Sequence, residues 1–386
     1  MLRILFTGGG TGGHIYPILA VAEELKNIAY QKGIKIKFRY IGAPENYRYF
    51  LATNGILVSR IFSAKWRRYF DIRNLLDIPL FILSIIQAFW KVFFYMPNIL
   101  FSKGGTGSFP VVLACWFYRI PIIVHESDSV PGRANELSFK YAYKIGISFK
   151  STVEYFKNSE NGEKLAEKTA LIGNPIRLLL LDKPLEQMMA KKVLGINPEK
   201  KLILIIGGSQ GAAKINDFFI EIAPELIKEY AILHQTGIKN FEEIRIDLNS
   251  ALKTSAQDER LNYRLVPYFE KDLSDAYSAA DLIISRSGSS SIFEIAAFGK
   301  PAILIPLPEN VAANDHQRKN AYEYAKTGAA IIIEEDNLNK GIFMTQIKKI
   351  FGSPDDLDLM SKSAKSFSKT DATKKIAEEI IKSANT

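Results

Sequence analysis

Short apolar runs that end in polar, glycine-rich turns recur along this chain, and each predicts a strand leaving a buried sheet for a helix. Residues 3–25, RILFTGGGTGGHIYPILAVAEEL, read as strand, glycine turn and amphipathic helix. A second strand covers 36–41 and stops at Gly42. Residues 78–96 are almost long and apolar enough to span a bilayer. Gln87 and Lys91 interrupt them, and the segment occupies a crossover position, so a helix packed on the sheet is expected. The strand 99–101 runs into Gly104, Gly105, Thr106 and Gly107. The strand 122–124 runs into His125, Glu126, Ser127 and Asp128, with Pro131, Gly132 and Asn135 beyond.

After a polar stretch at 178–200, LILIIGGSQGAAKINDFFIEIAPEL repeats the opening order of strand, glycine turn and helix. This recurrence after about two hundred residues argues for two similar α/β domains in tandem. Strands at 231–234 and 263–266 follow, the latter leading to Phe269. Then comes a β-α-β unit: strand 282–284, a turn at 288–291, helix 292–298 stopped by Gly299 and Pro301, and strand 302–305. A polar loop with Asn314, Asp315, His316 and Gln317 closes it. Polar residues thus gather at the carboxyl ends of strands, where open α/β sheets bind ligands. Two such domains facing a cleft are the GT-B architecture, which glycosyltransferases share with some epimerases and phosphorylases. The expected division is 1–175 and 176–354.

Composition adds little to this picture and charge a little more. With 386 residues, 47% apolar and 24% charged, the chain is globular and long enough for two cores. The single cysteine, Cys115, lies in an apolar run and is expected in the core; a reducing, cytoplasmic setting without a secretory leader is expected. A net charge of +9 suggests an anionic partner. Lys65, Trp66, Arg67, Arg68, Tyr69 and Phe70 suit an anionic membrane surface or, equally, a solvated basic turn. The bases are too dispersed for a nucleic-acid module, so no nucleic-acid partner is expected.

The chemistry concentrates at a few turns. The first is no P-loop, since no Gly-Lys-Ser/Thr closes it, and His14 stands where a dinucleotide fingerprint would begin its helix. A helix N-terminus disfavours positive charge, so His14 tends to be neutral and able to take a proton. All four histidines, His14, His125, His234 and His316, follow apolar runs, which scattered core histidines are not expected to do. Around Glu294 two readings stay open. Ser291 and Glu294 have capping-box spacing, and a carboxylate near a helix start is favourable anyway; the free amides there also suit a phosphate.

Together, TGGGTGGHIYPILAVAEEL, GGTGSFP, HESDSVPGRAN, GNPIR, GGSQGAAKIN, HQTG, RSGSSSIFEIAAFGKPAILIP and NDHQRKNA resemble glycosyltransferase family 28, in that family's order from Thr7 to Ala321. The relevant members add GlcNAc to the lipid-linked MurNAc-pentapeptide precursor of bacterial peptidoglycan, at the cytoplasmic face of the inner membrane, as peripheral proteins. The resemblance implies a fold of two Rossmann-like domains with parallel sheets facing an interdomain cleft, and it alone implies that the basic C-terminal segment 355–386 returns to the first domain. It implies a second domain that binds UDP-GlcNAc: Glu294 on the ribose hydroxyls, Ser209, Ser289, Ser290 and Ser291 on the diphosphate, Phe269 near the uracil, His316 and Gln317 on the sugar, and Arg177 against phosphate charge. Thr11, Gly12 and Gly13 would also reach the donor. The first domain would receive the acceptor's lipid diphosphate at its two glycine turns, with Gly9, Gly10, Gly104, Gly105, Thr106 and Asn135. His14 is the implied base, with Glu126 and Asp128 as rivals. Some members carry HEQN where this chain has His125-Glu126-Ser127-Asp128, and an ionised Asp128 only accepts hydrogen bonds. No metal and no cofactor are implied, because the helix dipole supports the departing UDP. A glycolipid synthase or UDP-GlcNAc epimerase on the same fold, or a non-catalytic binding subunit, are the alternatives.

Overall fold

The computed structural model describes residues 1–63, 73–157, 162–207, 212–269, 272–308 and 315–385, with only the backbone at 73–76. Two compact units emerge, one formed by 1–178 with 369–386 and the other by 179–368.

In the first unit seven parallel strands form one sheet: β1 (Leu2–Thr7), β2 (Ile36–Gly42), β3 (Ile56–Arg60), β4 (Ile99–Ser102), β5 (Ile122–Glu126), β6 (Lys144–Ile147) and β7 (Thr169–Leu171). Their order is β3-β2-β1-β4-β5-β6-β7, so winding reverses between β1 and β4. Those neighbours are in register from Ile4 opposite Ile99 to Thr7 opposite Ser102. Both glycine turns of the first half therefore leave the sheet at its topological switch point, where a doubly wound sheet opens a crevice for a ligand.

Helices cover both faces, which is why the strands read as continuous apolar runs. On one face Ile15, Ile18, Val21, Ala22 and Leu25 of the helix Gly12–Lys32 pack with Ile376, Ala377 and Ile380 of the C-terminal helix Ala372–Ser383. On the other, Ala88, Val92 and Tyr95 of the helix Arg73–Tyr95 join Val111, Val112 and Cys115 of the helix Ser108–Phe117. The expected sheet-packed helix is thus present, with Ser84, Ala88 and Val92 forming its buried stripe at four-residue spacing. Its other side is unusual: Ile82, Ile86, Trp90, Phe93 and Phe94 are exposed, as are Trp116 and Phe117. Within the described residues, 77–95 is also the one helix long and apolar enough to cross a membrane, with a mean hydropathy of 1.7.

In the second unit six parallel strands, β8 (Leu202–Ile206), β9 (Ala231–Gln235), β10 (Tyr263–Val266), β11 (Leu282–Ser285), β12 (Ala302–Leu304) and β13 (Ala330–Ile332), take the order β10-β9-β8-β11-β12-β13. The switch point falls between β8 and β11, and the turn after β11 lies beside it. The internal repeat read from the sequence is this shared topology.

The C-terminal segment divides between the units rather than returning whole to the first. The helix Pro354–Phe367 buries Met360 and Ala364 in the second unit. There Ser361 Oγ donates to Gly299 O (2.6 Å), and Phe367 packs on Phe293 and Tyr324. Only Ala372–Ser383 joins the first unit, where Thr373 Oγ1 both accepts from Ile176 N (3.1 Å) and donates to Ile176 O (3.0 Å). The apolar stripe of each helix decides the matter: 360, 364 and 367 match one surface, 376, 377 and 380 the other.

Candidate active site

In the first unit the turns after β1 and β4 touch. Gly105 has φ +81°, and a Cβ built there would lie 2.8 Å from Gly9 Cα and 2.9 Å from His14 Nε2. A Cβ on Gly9 would come within 3.0 Å of His14 Nδ1. Only glycines allow this approach, and it holds the imidazole edge between the two turns. His14 is half-buried in the first turn of its helix, and its Nδ1 shares a 2.7 Å hydrogen bond with Thr11 Oγ1. Thr11 is the N-cap, yet no side chain caps the helix, which opens on the amides of Gly12 and Gly13. Gly10 packs on Glu45 and Ala43. Thr106 is exposed at the tip of the second turn. Arg177 lies 4.9 Å over the Tyr16 ring, two residues past His14, and so belongs beside this turn in the first unit.

Beneath the second turn lies a buried polar layer. Gly104, at φ +76°, leaves room for Asn135, whose Oδ1 would sit 2.4 Å from a Cβ there. Asn135 Nδ2 donates to His125 O (3.2 Å) and to Glu126 Oε2 (2.9 Å). Glu126 also accepts from Asp128 N at 2.9 Å and from Gly132 N at 3.1 Å. Burial, then the neighbouring Asp128 carboxylate, pushes the Glu126 carboxyl above its usual range. With both oxygens engaged in its own loop and 3% exposure, Glu126 serves as an anchor for that loop, not as an open base. Asp128 is half-buried at the rim.

The even view of the four histidines does not hold. His125 and His234 lie inside strands, are fully buried and are bonded on both ring nitrogens: His125 to Lys103 Nζ and Gly173 O, His234 to Tyr263 Oη and Asn216 Oδ1. Burial drives His234 down to about 3 and His125 well below the normal imidazole range. They are core histidines. His14 and His316 instead sit half-buried on first turns of helices.

In the second unit the helix after β11 runs Ser289–Ala297 with Gly288 as N-cap and no side-chain cap. It starts three residues earlier than its apolar pattern suggested. Ser291 is therefore inside the helix and Glu294 in its second turn, so neither forms a capping box; no acidic residue occupies the first turn. The amides of Ser289, Ser290 and Ser291 instead open on the switch point, an arrangement suited to an anion. Glu294 is buried, and Tyr277 Oη donates to its Oε2 at 3.0 Å.

Arg286 fixes this corner. It donates to the carbonyls of Ile305 and Pro306, both at 3.1 Å, and pairs with Glu335, which also binds Lys214 at 3.0 Å. Burial alone would raise the Glu335 carboxyl, but hydrogen bonds from Arg286 and Lys214 bring it below its usual range. Gln317 accepts from Leu307 N (3.3 Å) and its carbonyl from Ser287 Oγ (2.8 Å), tying the helix His316–Ala325 to both strand ends. Its N-cap, Asp315, adopts φ +54°. Phe269 is buried, and its N–H donates to Gln235 Oε1 at 3.1 Å. Ser209, Asn314 and the basic-aromatic residues Lys65 to Phe70 lie outside the described residues.

Lys103, Tyr277 and Arg286 had not been singled out. Lys103 had a signal, a lysine ending an apolar strand directly before a glycine turn; Tyr277 had none.

Two α/β units, each built on one parallel sheet with a central switch point, are the architecture of the GT-B class, which glycosyltransferases share with some epimerases. Residues 4–147 match the N-terminal domain of glycosyltransferase family 28 and residues 202–379 its C-terminal domain, and the chain belongs to that family. A Legionella pneumophila (strain Paris) protein named UDP-N-acetylglucosamine–N-acetylmuramyl-(pentapeptide) pyrophosphoryl-undecaprenol N-acetylglucosamine transferase is 32% identical over 377 residues, 97% of this chain and 96% of its own. A Clostridium kluyveri protein of the same name is 35% identical over 351 residues, 91% of each. Among solved structures, MurG of Acinetobacter baumannii superposes with a TM-score of 0.72 at 25% identity, covering 99% of this chain and 100% of that one. The UDP-GlcNAc 2-epimerase of Neisseria meningitidis gives 0.66 at 15% identity over 99% and 100%, a likeness of fold alone.

Proposed function

We propose that the chain transfers GlcNAc from UDP-GlcNAc to the 4-hydroxyl of MurNAc in undecaprenyl-diphosphate-MurNAc-pentapeptide (lipid I), giving lipid II for peptidoglycan synthesis. One observation carries this reading: relatives named for that transfer match nine-tenths or more of the chain and of their own length.

The acceptor hydroxyl oxygen attacks C1 of GlcNAc from the face opposite UDP. The C1–O bond to the β-phosphate breaks, its electron pair leaves with UDP, and the α-linked donor becomes a β-linked product. The hydroxyl proton goes to His14. With Nδ1–H donated to Thr11 Oγ1, Nε2 keeps the lone pair that takes it. Asp128 is the rival proton acceptor at this rim. The amides of Ser289, Ser290 and Ser291, with Ser209, receive the diphosphate whose charge grows as the bond breaks. Glu294, oriented by Tyr277, takes the ribose hydroxyls. The Phe269 amide is committed to Gln235, which leaves its carbonyl for the uracil N–H. His316 and the amide nitrogen of Gln317 read sugar hydroxyls. Gly9, Gly10, Gly104, Gly105, Thr106 and Asn135 shape the acceptor's diphosphate site, and Gly12, Gly13 and Arg177 complete the polar rim of the first turn.

The exposed side chains of Ile82, Ile86, Trp90, Phe93, Phe94, Trp116 and Phe117 support docking on a membrane surface. Such a contiguous patch is larger than isolated surface hydrophobes produce; with a lipid-linked acceptor it supports a peripheral setting on the plasma membrane, and we infer the cytoplasmic face, where the UDP-sugar donor is found.

The test is UDP release from UDP-GlcNAc by the purified protein, with and without a soluble lipid I analogue. Release that needs the analogue and yields the disaccharide is the expected result. Release without any acceptor points to an epimerase or hydrolase and overturns the proposal.

A further inference from the structure

We propose that Lys103 is a positioning residue for the acceptor: its ammonium, sealed under the turn at 104–107, ties three strand ends together and places a positive charge beneath the site that takes the acceptor's diphosphate. This rests on the reading of the first unit given above.

The hydrogen bonds assign the charge. Lys103 Nζ donates to His125 Nδ1 (2.6 Å), to Ser127 Oγ and to Asn174 Oδ1 (3.2 Å). An ammonium has three donors and no acceptor, so the protonated form fills this cage, whereas a neutral amine leaves one partner unmet. The directions around it agree. His125 Nδ1 accepts, so Nε2–H donates to Gly173 O at 2.8 Å; Ser127 accepts from Lys103 and donates to Asn174 Oδ1 at 3.0 Å.

The location matters as much. Lys103 N donates to Thr7 O (3.0 Å), which sets the second glycine turn beside the first. The side chain, 2% exposed, joins the ends of β4 and β5 and the segment after β7. All three direct partners are neutral. Glu126, turned into its own loop, and Asp128, at the rim, are the carboxylates that face the ammonium without bonding to it. Burial pushes Lys103 below the normal lysine range, and those two carboxylates partly restore it. A simple staple would be cheaper with uncharged groups, since a buried cation gives up its hydration. A cation under glycines 104, 105 and 107, all at positive φ, acts on an anion above them through a poorly screened medium.

The experiment compares wild type, Lys103→Met and Lys103→Gln in steady-state kinetics with UDP-GlcNAc and the soluble lipid I analogue. Both variants are expected to raise the acceptor KM roughly 10–100-fold, the scale of a charge-mediated contact, while donor KM and UDP affinity stay within about two-fold. Glutamine keeps hydrogen bonds to Ser127 and Asn174 but carries no charge, so restoration of acceptor KM by Gln reduces Lys103 to a staple and overturns the proposal. Equal damage to donor and acceptor does the same. Should neither variant fold, Ser127→Ala, which removes one partner, is expected to raise acceptor KM a few-fold; an unchanged value overturns the proposal. If the wild type shows no acceptor-dependent turnover, the function above fails separately. Lys103 is then judged by calorimetry with inorganic pyrophosphate, with weaker binding in Lys103→Met supporting its role and equal binding refuting it.

Discussion

Replacing Glu294 separates a ligand contact from a helix cap. Because Gly288 is the N-cap and Glu294 lies in the second turn, a helix-stabilising contribution from the carboxylate is not expected. What the fold loses in Glu294→Ala includes the hydrogen bond from Tyr277 to a carboxylate, about 1.5–3 kcal/mol. What a nucleotide loses is two bonds from ribose hydroxyls to an ionised acceptor, each worth about 1.5–3 kcal/mol. The lower limit, roughly 3 kcal/mol, is already more than 100-fold in UDP affinity. Glu294→Gln should fall between, at about 10–30-fold, because an amide offers one acceptor oxygen in place of two. Tyr277→Phe keeps the carboxylate but frees it to rotate, and a loss of about 3–10-fold is expected from the weaker preorganisation. Titration calorimetry with UDP, beside thermal melts of the same samples, reads both quantities. Unchanged UDP affinity in Glu294→Ala with a lowered melting temperature would refute the assignment and return the residue to a purely structural role.

Three other outcomes follow from the geometry. His14→Ala should lower turnover by about 10²–10⁴ with donor affinity unchanged; if turnover is near normal and Asp128→Asn carries the loss, Asp128 is the base. Gly105→Ala forces a Cβ to within 2.8 Å of Gly9 backbone at a φ of +81°. It should cost about 1–3 kcal/mol in stability and reduce activity through displaced His14, and a fully active variant with wild-type melting behaviour contradicts the contact between the turns. His234 makes stability depend on acid. Its folded value, about 3, lies below the ordinary 6.5, so its contribution is complete above pH 6.5 and is lost as pH falls toward 3. The full span is roughly 5 kcal/mol, seen as a falling melting temperature on acidification by circular dichroism. A second unit equally stable at pH 4 and pH 7 would contradict the buried neutral imidazole.

Much of the fold was legible because doubly wound sheets write themselves as apolar runs followed by turns. At the first unit's switch point Gly9 and Gly105 marked where two turns meet, since close backbone approach admits few residue types. What misled was spacing taken without depth. Ser291 and Glu294 have the interval of a capping box, but the helix begins where β11 releases the chain, at Ser289, and that point is set by the sheet. His125 and His234 shared with His14 a place after an apolar run, yet they belong to the strands themselves and are covered by helices from both faces.

Lys103 shows the opposite failure. A lysine is assumed to reach solvent, and nothing within ten residues indicates that a histidine, a serine and an asparagine from two other strand ends will enclose it. Those partners stand 22, 24 and 71 residues away along the chain. Their meeting is a product of parallel topology, which brings the carboxyl ends of β4, β5 and β7 to one edge whatever the intervening sequence does. In this chain the residues that would touch ligand sit on turns and carry a local signature. The residues that hold those turns lie one layer below, Lys103 beneath the glycines and Tyr277 behind Glu294, and their partners are recognised only through contacts between distant segments.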